Sequence, residues 1–316
     1  MQAVALDRFG GPDELKLRTL PVPDVEPDEV LIHVESAGVG VWDPFEREGG
    51  YAEMLGLEPH FPYVLGSEGA GLIAAVGEDV STFKNGERVY AAGFLNPKGG
   101  FYAEYAAVKA ALVARVPDGL TTEQAGAMSG VALTALRGLD DTLNLKSGEA
   151  VMIFGASGGV GHMAVQLAKR MGARVFAVAS GNDGVVLAKR LGADAVVNGR
   201  ADDVLAAAFA FSPAGLDAAL LTAGGEIAEA TLSAVRDGGR VAYPSGVQPE
   251  PYARPGGQAL RYFGVPDAEV LERLNRLIGG GPFEVHITRT FPLNEAGDAH
   301  RALDDHYLGK LALRVG

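Results

Sequence analysis

The sequence predicts an α/β protein in which a smaller, mainly β domain precedes a doubly wound parallel sheet. Residues 151–180, VMIFGASGGVGHMAVQLAKRMGARVFAVAS, read as strand, glycine-rich turn, helix and second strand. Near residue 120 the texture changes from short β-type runs to strands alternating with helices. At 316 residues the chain is long enough for two domains, each with its own core.

In the first part, β-type runs fall at 3–6, 29–34, 69–76, 88–91, 103–107 and 112–115. Pro21, Pro23, Pro27, Gly49, Gly50, Gly99 and Gly100 separate them, a pattern that suggests a mostly antiparallel domain. Val151, Met152, Ile153 and Phe154 then form an apolar run of the kind buried in a parallel sheet. After the turn, Val160, Ala164, Leu167, Ala168 and Met171 recur at helical spacing, and Gly172 stops the helix. Further strands are expected at 195–197, 216–221, 239–243 and 259–263, with helices at 185–191, 203–209 and 227–235. A helix at 268–278 follows, and β-type runs at 285–291 and 310–315 are expected to return to the first domain. The division is therefore 1–120 with 285–316, and 121–284.

Composition points to a soluble, cytoplasmic enzyme. No apolar run reaches the ~18 residues of a membrane span, and the opening MQAVALDRFGG lacks a basic-then-apolar signal pattern. There is no cysteine, which excludes disulfides and thiolate–metal sites. A formal net charge of −13 argues against a nucleic-acid partner or an anionic membrane surface.

The turn Gly155, Ala156, Ser157, Gly158, Gly159, Val160, Gly161 lets backbone approach a pyrophosphate at the positive end of a helix dipole. The alternative is a tight strand-to-helix turn without a ligand. At the end of the second strand stand Ala179 and Ser180, with no acid before Asp183. An acid there would accept hydrogen bonds from both ribose hydroxyls of NAD and repel a 2′-phosphate, so its absence permits NADP. NADPH is therefore favoured and NADH stays open. Arg200, after Asn198 and Gly199, either supplies the positive charge for that phosphate or is a solvated surface arginine.

Together with this turn, Phe9-Gly10-Gly11-Pro12, residues 61–71 (FPYVLGSEGAG), Leu133-Thr134-Ala135, residues 145–149 (LKSGE) and residues 309–315 (GKLALRV) carry a resemblance. The chain resembles the zinc-independent medium-chain dehydrogenases/reductases of the quinone oxidoreductase type, nearly end to end. The resemblance implies a GroES-like first domain, a Rossmann second domain, and a nicotinamide in the cleft between them. It also implies cofactor contacts at Thr134, Ala223, Gly224, Ser245, Gly246 and Val247, each with ordinary turn chemistry as the alternative, while Asn198, a further candidate contact, stands where the family commonly has a tyrosine. Arg254 and Arg261 are further cations for a phosphate, and the strand at 259–263 is the expected seam of a homodimer.

Where zinc-dependent relatives carry a cysteine and a histidine, this chain has Gly40 and Ser67. Neither is a usual zinc ligand. Without a Lewis acid a simple ketone is a poor hydride acceptor, whereas a quinone or an enone spreads the incoming charge over an enolate. The expected reaction is therefore hydride transfer from NADPH to a quinone or other conjugated carbonyl. By matched position, Tyr51 is assigned to stabilising the developing oxyanion, and Asp43 to orienting a loop or a water. The alternatives are a surface tyrosine in a glycine-rich loop, and a turn or helix-capping aspartate. Trp42 and Phe45 either pack in the core or line an aromatic-accepting pocket, and the six histidines show no paired metal-ligand spacing.

Two other functions share these features. One is a biosynthetic enoyl reductase acting on a polyketide-like intermediate. The other is a nucleotide-binding homologue without catalysis, motivated by Gly40, Phe45 and Asn198-Gly199, where the family's usual residues are replaced.

Overall fold

A computed structural model describes residues 1–316. The chain divides into two compact units. One comprises Met1–Gly130, Pro266–Glu272 and Val285–Gly316, the other Val131–Val265 and Arg273–Glu284.

The first unit begins with strands β1 (Gln2–Leu6), β2 (Lys16–Thr19) and β3 (Glu29–Val39). Two short helices follow, α1 (Asp43–Arg47) and α2 (Gly50–Leu55). Then come β4 (Tyr63–Val64), β5 (Glu68–Val76), β6 (Arg88–Ala92), β7 (Tyr105–Lys109) and β8 (Val113–Arg115), before helix α3 (Thr122–Leu136), whose residues from Val131 on belong to the second unit. These strands pair antiparallel throughout, with β3 as the spine between β5 and β7. Ile32 of β3 sits opposite Ile73 of β5 and Ala106 of β7, and all three are buried. Nine of the eleven β3 residues are buried, so side chains on both faces of this strand are covered.

In the second unit β9 (Ala150–Phe154), α4 (Gly159–Arg170), β10 (Arg174–Ala179), α5 (Gly181–Arg190) and β11 (Ala195–Asn198) form one half of a doubly wound sheet. The other half is α6 (Val204–Phe211), β12 (Leu216–Leu221), α7 (Glu226–Thr231), β13 (Val235–Pro244) and β14 (Gln258–Tyr262). All pairings are parallel, in the order β11-β10-β9-β12-β13-β14. The order reverses at β9, which lies between β10 and β12. That is the switch point at which such sheets open a crevice beyond their strand ends. Helix α8 (Ala268–Ile278) follows.

The chain then returns as β15 (Ile287–Pro292), α9 (Ala296–Arg301) and β16 (Lys310–Arg314). β16 pairs antiparallel with β3, and β15 pairs parallel with β16, so the C-terminal runs close the first unit's sheet.

Several elements differ from the sequence expectation. The helix expected at 227–235 stops at Thr231, and Val235 already opens β13, paired with Leu216. The register of this pair shifts between Leu216 and Ala218, where Gly238 (φ +73°) turns the strand, so periodicity over 227–235 mixed two elements. Helices α1 and α2 were not among the expected elements: Pro44 stands in the first turn of α1, and Gly49 and Gly50 open α2. Each is also too short to show a helical repeat. No helix is long and apolar enough to cross a membrane.

Candidate active site

Strand β3 delivers the chain to Gly40, and a tight turn there starts α1 with Trp42 at its N-cap. Asp43, the first residue of the helix, closes that turn: its Oδ2 accepts the Gly40 N–H at 2.8 Å. The same oxygen accepts the Tyr102 hydroxyl at 3.0 Å, while Oδ1, also buried, has no partner. Asp43 is wholly buried, and burial pushes its carboxyl up to about 7. The Gly40 N–H opposes that rise, while the Glu46 charge adds to it.

Trp42 donates its indole N–H to Ser67 Oγ at 2.6 Å. A Cβ added at Gly40 would lie 2.5 Å from Trp42 Cζ2, so the indole takes the space a side chain at position 40 would need. Lys310 lies over the same ring, its Nζ 5.0 Å from the centroid. That ammonium donates to Glu68 Oε1 at 2.6 Å and to the Val39 carbonyl at 2.9 Å. Glu68 Oε2 accepts the Gly130 N–H at 2.6 Å, which leaves both buried charges matched. This donor set does not fit a zinc ion. Position 40 offers no side-chain donor, Ser67 is engaged by an indole, and Glu68 is held by an ammonium.

Tyr51 lies on α2, not in a loop, and its ring meets Phe45 edge-on at 4.8 Å. Burial, followed by the charges of Glu46 and Asp43, raises its phenol above the usual range. Its hydroxyl makes no hydrogen bond within the chain and is free for a ligand. Phe45 is 46% exposed and Trp42 partly exposed, so neither is a core residue. With exposed Val41, Met54 and Leu55 they give this part of the first unit an apolar surface.

In the second unit the turn after β9 is built for close approach. Gly155 adopts φ +80°, and a Cβ at Gly161 would strike the Gly155 carbonyl oxygen at 2.0 Å. Intrahelical bonding in α4 starts with the His162 N–H to the Gly158 carbonyl, so the N–H groups of Gly159, Val160 and Gly161 precede it. A Cβ at Gly158 would have only the Gly155 oxygen nearby, at 3.5 Å. The turn therefore presents donors and open space, which fit a pyrophosphate.

Ser157 Oγ accepts the Ser180 N–H at 3.2 Å, while the buried Ser180 Oγ has no partner. Asn198 Oδ1 accepts from Gly181 N–H and Arg200 N–H, and its amide donates to Asn182 Oδ1. Ser180, Asn198 and Arg200 thus sit together beside the Ser157 end of the turn, with the Arg200 side chain exposed. Ala223 and Gly224 lie beyond β12, and a Cβ at Gly224 would meet the Gln248 carbonyl oxygen at 1.9 Å. Ser245, Gly246 and Val247 turn the chain after β13, with the Ser245 N–H on the Tyr262 carbonyl. Thr134 lies on α3, its hydroxyl against Gly264. Arg254 and Arg261 are not loose phosphate ligands: they pair with Asp237 at 3.2 Å and Glu250 at 3.3 Å. The two catalytic candidates belong to the first unit and the cofactor candidates to the second.

Four polar groups, Tyr102, His300, Arg47 and Lys310, join this site without having been site candidates in the sequence. Tyr102 and His300 are in contact at 3.1 Å, and His300 Nδ1 is 3.0 Å from Arg47 Nη1. Burial, reinforced by the Arg47 charge, pushes the His300 imidazole down to about 3. Arg47 and His300 carry no motif that marks them. Lys310 lies inside the quoted GKLALRV run, but a lysine starting a strand reads as a solvated edge.

Comparison with known proteins places these features. Residues 26–118 match the alcohol dehydrogenase GroES-like domain, and residues 159–255 match the zinc-binding dehydrogenase family. A quinone oxidoreductase of Homo sapiens is 38% identical over 201 residues, 63% of this chain and 59% of that protein, so the match spans less than two thirds of the relative. An alcohol dehydrogenase of Geobacillus stearothermophilus is 33% identical over 264 residues, 76% of each chain. A mycobacterial protein solved with NADPH superposes with a TM-score of 0.82 at 27% identity, covering 100% of both chains. The chain belongs to the medium-chain dehydrogenases/reductases and is quinone-oxidoreductase-like, with a GroES-like unit and a Rossmann unit.

Proposed function

We propose that this protein is a zinc-independent oxidoreductase that uses NADPH to reduce a quinone or another conjugated carbonyl compound. The carrying observation is the Trp42 indole, which fills the space at Gly40 and engages Ser67, the two positions at which zinc-dependent relatives place ligands. Chemistry without a Lewis acid selects acceptors that delocalise their own charge.

Reduced nicotinamide, when bound, supplies the hydride. The chain's residues bind and orient it. The N–H groups of Gly159, Val160 and Gly161, with the open space at Gly158, would receive the pyrophosphate. Ala156, Ser157 and Thr134 would contact the cofactor on either side of that turn, as would Ala223, Gly224, Ser245, Gly246 and Val247. The unpartnered Ser180 hydroxyl, the exposed Arg200 and the missing acid at the end of β10 support a 2′-phosphate, hence NADPH over NADH. The related mycobacterial structure solved with NADPH supports a nicotinamide cofactor.

On the acceptor side, the free Tyr51 hydroxyl would donate to the oxygen on which charge develops. Asp43 would act as a positioning group, since it is wholly buried and already closes the Gly40 turn. The open edge of β14, with Leu260 and Phe263 exposed, supports a homodimer in which two such strands meet. NADPH and NADH titrations followed by a screen of quinones and small enones test the reading. Quinone turnover supports it, enone-only turnover moves the chain to the enoyl reductases, and cofactor binding without turnover removes the enzyme assignment.

A further inference from the structure

Helix α1 is only five residues long, too short to hold itself. Both its ends are tied into one buried chain of hydrogen bonds. Arg47, its last residue, can only donate, so its Nη1–H donates a hydrogen bond to His300 Nδ1 at 3.0 Å. His300 Nε2 therefore carries the ring proton and donates to the Tyr102 oxygen at 3.1 Å. The Tyr102 hydroxyl in turn donates to Asp43 Oδ2 at 3.0 Å, back at the first residue of α1. Each link has one donor and one acceptor, and all four residues are buried. Tyr102 comes from the loop before β7 and His300 from α9, so distant segments close a clasp around one helical turn.

We propose that Tyr102 and His300 are positioning residues: through Asp43 and Arg47 they clamp both ends of α1 and so fix Phe45, the ring against which Tyr51 stands. The role rests on the reading of Tyr51 as the group that meets the acceptor oxygen. The clasp also leaves Oδ1 as the one unpartnered oxygen of the Asp43 carboxyl, the place for a proton when Asp43 is neutral. The charged or titratable groups facing that carboxyl are Glu46 and Arg47 of α1, Tyr51 of α2, Glu68 of β5, Lys310 of β16, and Tyr102, His300 and Tyr307. His300 stays neutral across the neutral range, because burial and Arg47 disfavour its charged form.

The single tryptophan, Trp42, adjoins Asp43 and gives a readout that does not need turnover. Its emission should change with pH as Asp43 ionises, and Asp43→Asn should abolish that change. Tyr102→Phe keeps the ring but removes a donor that favours the carboxylate, so the midpoint should rise by about one pH unit. With quinone and NADPH the same variant should lose roughly ten- to a hundredfold in turnover with an unchanged Kd for NADPH. His300→Gln, which keeps an acceptor and a donor, should stay near the parent, whereas His300→Leu should follow Tyr102→Phe. The clamp is overturned if Tyr102→Phe leaves both the emission midpoint and turnover unchanged, or if the Gln and Leu variants behave alike. A parent protein that reduces no acceptor defeats the reductase reading, while the emission titration still decides the clamp.

Discussion

Trp42 donates its indole N–H to Ser67 at 2.6 Å while its ring occupies the space that any side chain at Gly40 would need. One residue thus joins the two positions at which zinc-dependent relatives hold their metal. Gly40→Ala puts a methyl about where the indole stands, and the ring is packed under Lys310. The variant should lose ~1–3 kcal/mol of stability in thermal or denaturant unfolding. Its Trp42 emission should shift as the Ser67 hydrogen bond breaks. Combining Gly40→Cys with Ser67→His should not create zinc-dependent activity, because the indole blocks the position and no second shell supports the ligands.

Lys310 and Glu68 are the most deeply buried ion pair of the first unit, and each has a second backbone partner. Lys310→Met strands the Glu68 carboxylate without a counter-charge. The expected loss is ~3–5 kcal/mol in chemical unfolding. Adding Glu68→Gln to that variant should recover a large part of it, since the cost comes from the orphaned charge rather than from lost packing.

The core of the parallel sheet was legible in the sequence because β9, β10 and β12 are buried on both faces and α4 runs long enough to show a repeat. The 216–221 strand, LDAALL, agrees to the residue with β12. The glycine-rich turn was legible for a related reason, since close approach of backbone admits few residue types. Helices α1 and α2 were not legible, because five or six residues beside Pro44 and Gly49 carry no period. The Arg47–His300–Tyr102–Asp43 chain was equally hidden. It joins residues far apart in sequence, and a lone buried histidine has the same signature whether it packs or connects.

Asp43 should make stability depend on pH in a recognisable direction. Its folded pKa, about 7, lies above its unfolded value of 3.8, so between those pH values the folded state binds more protons than the unfolded state. Stability from this group is then present at acid pH and is lost as pH rises toward 7. Asp43→Asn should remove that decline and gain on the order of a few kcal/mol over the parent near pH 8, relative to their difference at pH 5. His300 has the opposite sign. Its folded pKa of about 3 lies below 6.5, so its contribution is lost as pH falls below 6.5. Urea unfolding of both proteins at pH 5, 6.5 and 8 separates the two slopes.

Tyr51→Phe keeps the ring against Phe45 and removes only the hydroxyl. Turnover should fall by roughly 10²-fold, the usual cost of one oxyanion donor, with NADPH affinity unchanged. An unaltered rate takes Tyr51 out of the mechanism.

Arg200 is exposed at the Asn198 turn, beside the unpartnered Ser180 hydroxyl. Arg200→Ala should weaken NADPH about tenfold and leave NADH unchanged, as read by fluorescence titration of each cofactor. Ser180→Asp should reverse the preference, because a carboxylate at that strand end repels a 2′-phosphate and accepts from a ribose. Equal effects on both cofactors would place the 2′-phosphate elsewhere.

Metal-free reduction of a conjugated acceptor is tested most directly by NADPH oxidation with a simple quinone, using protein stripped by a strong chelator and checked for metal content. Full turnover by the stripped protein, unchanged on adding zinc, is the expected result. Loss of activity on stripping with recovery on adding zinc would contradict a site in which Trp42 and Ser67 replace the metal.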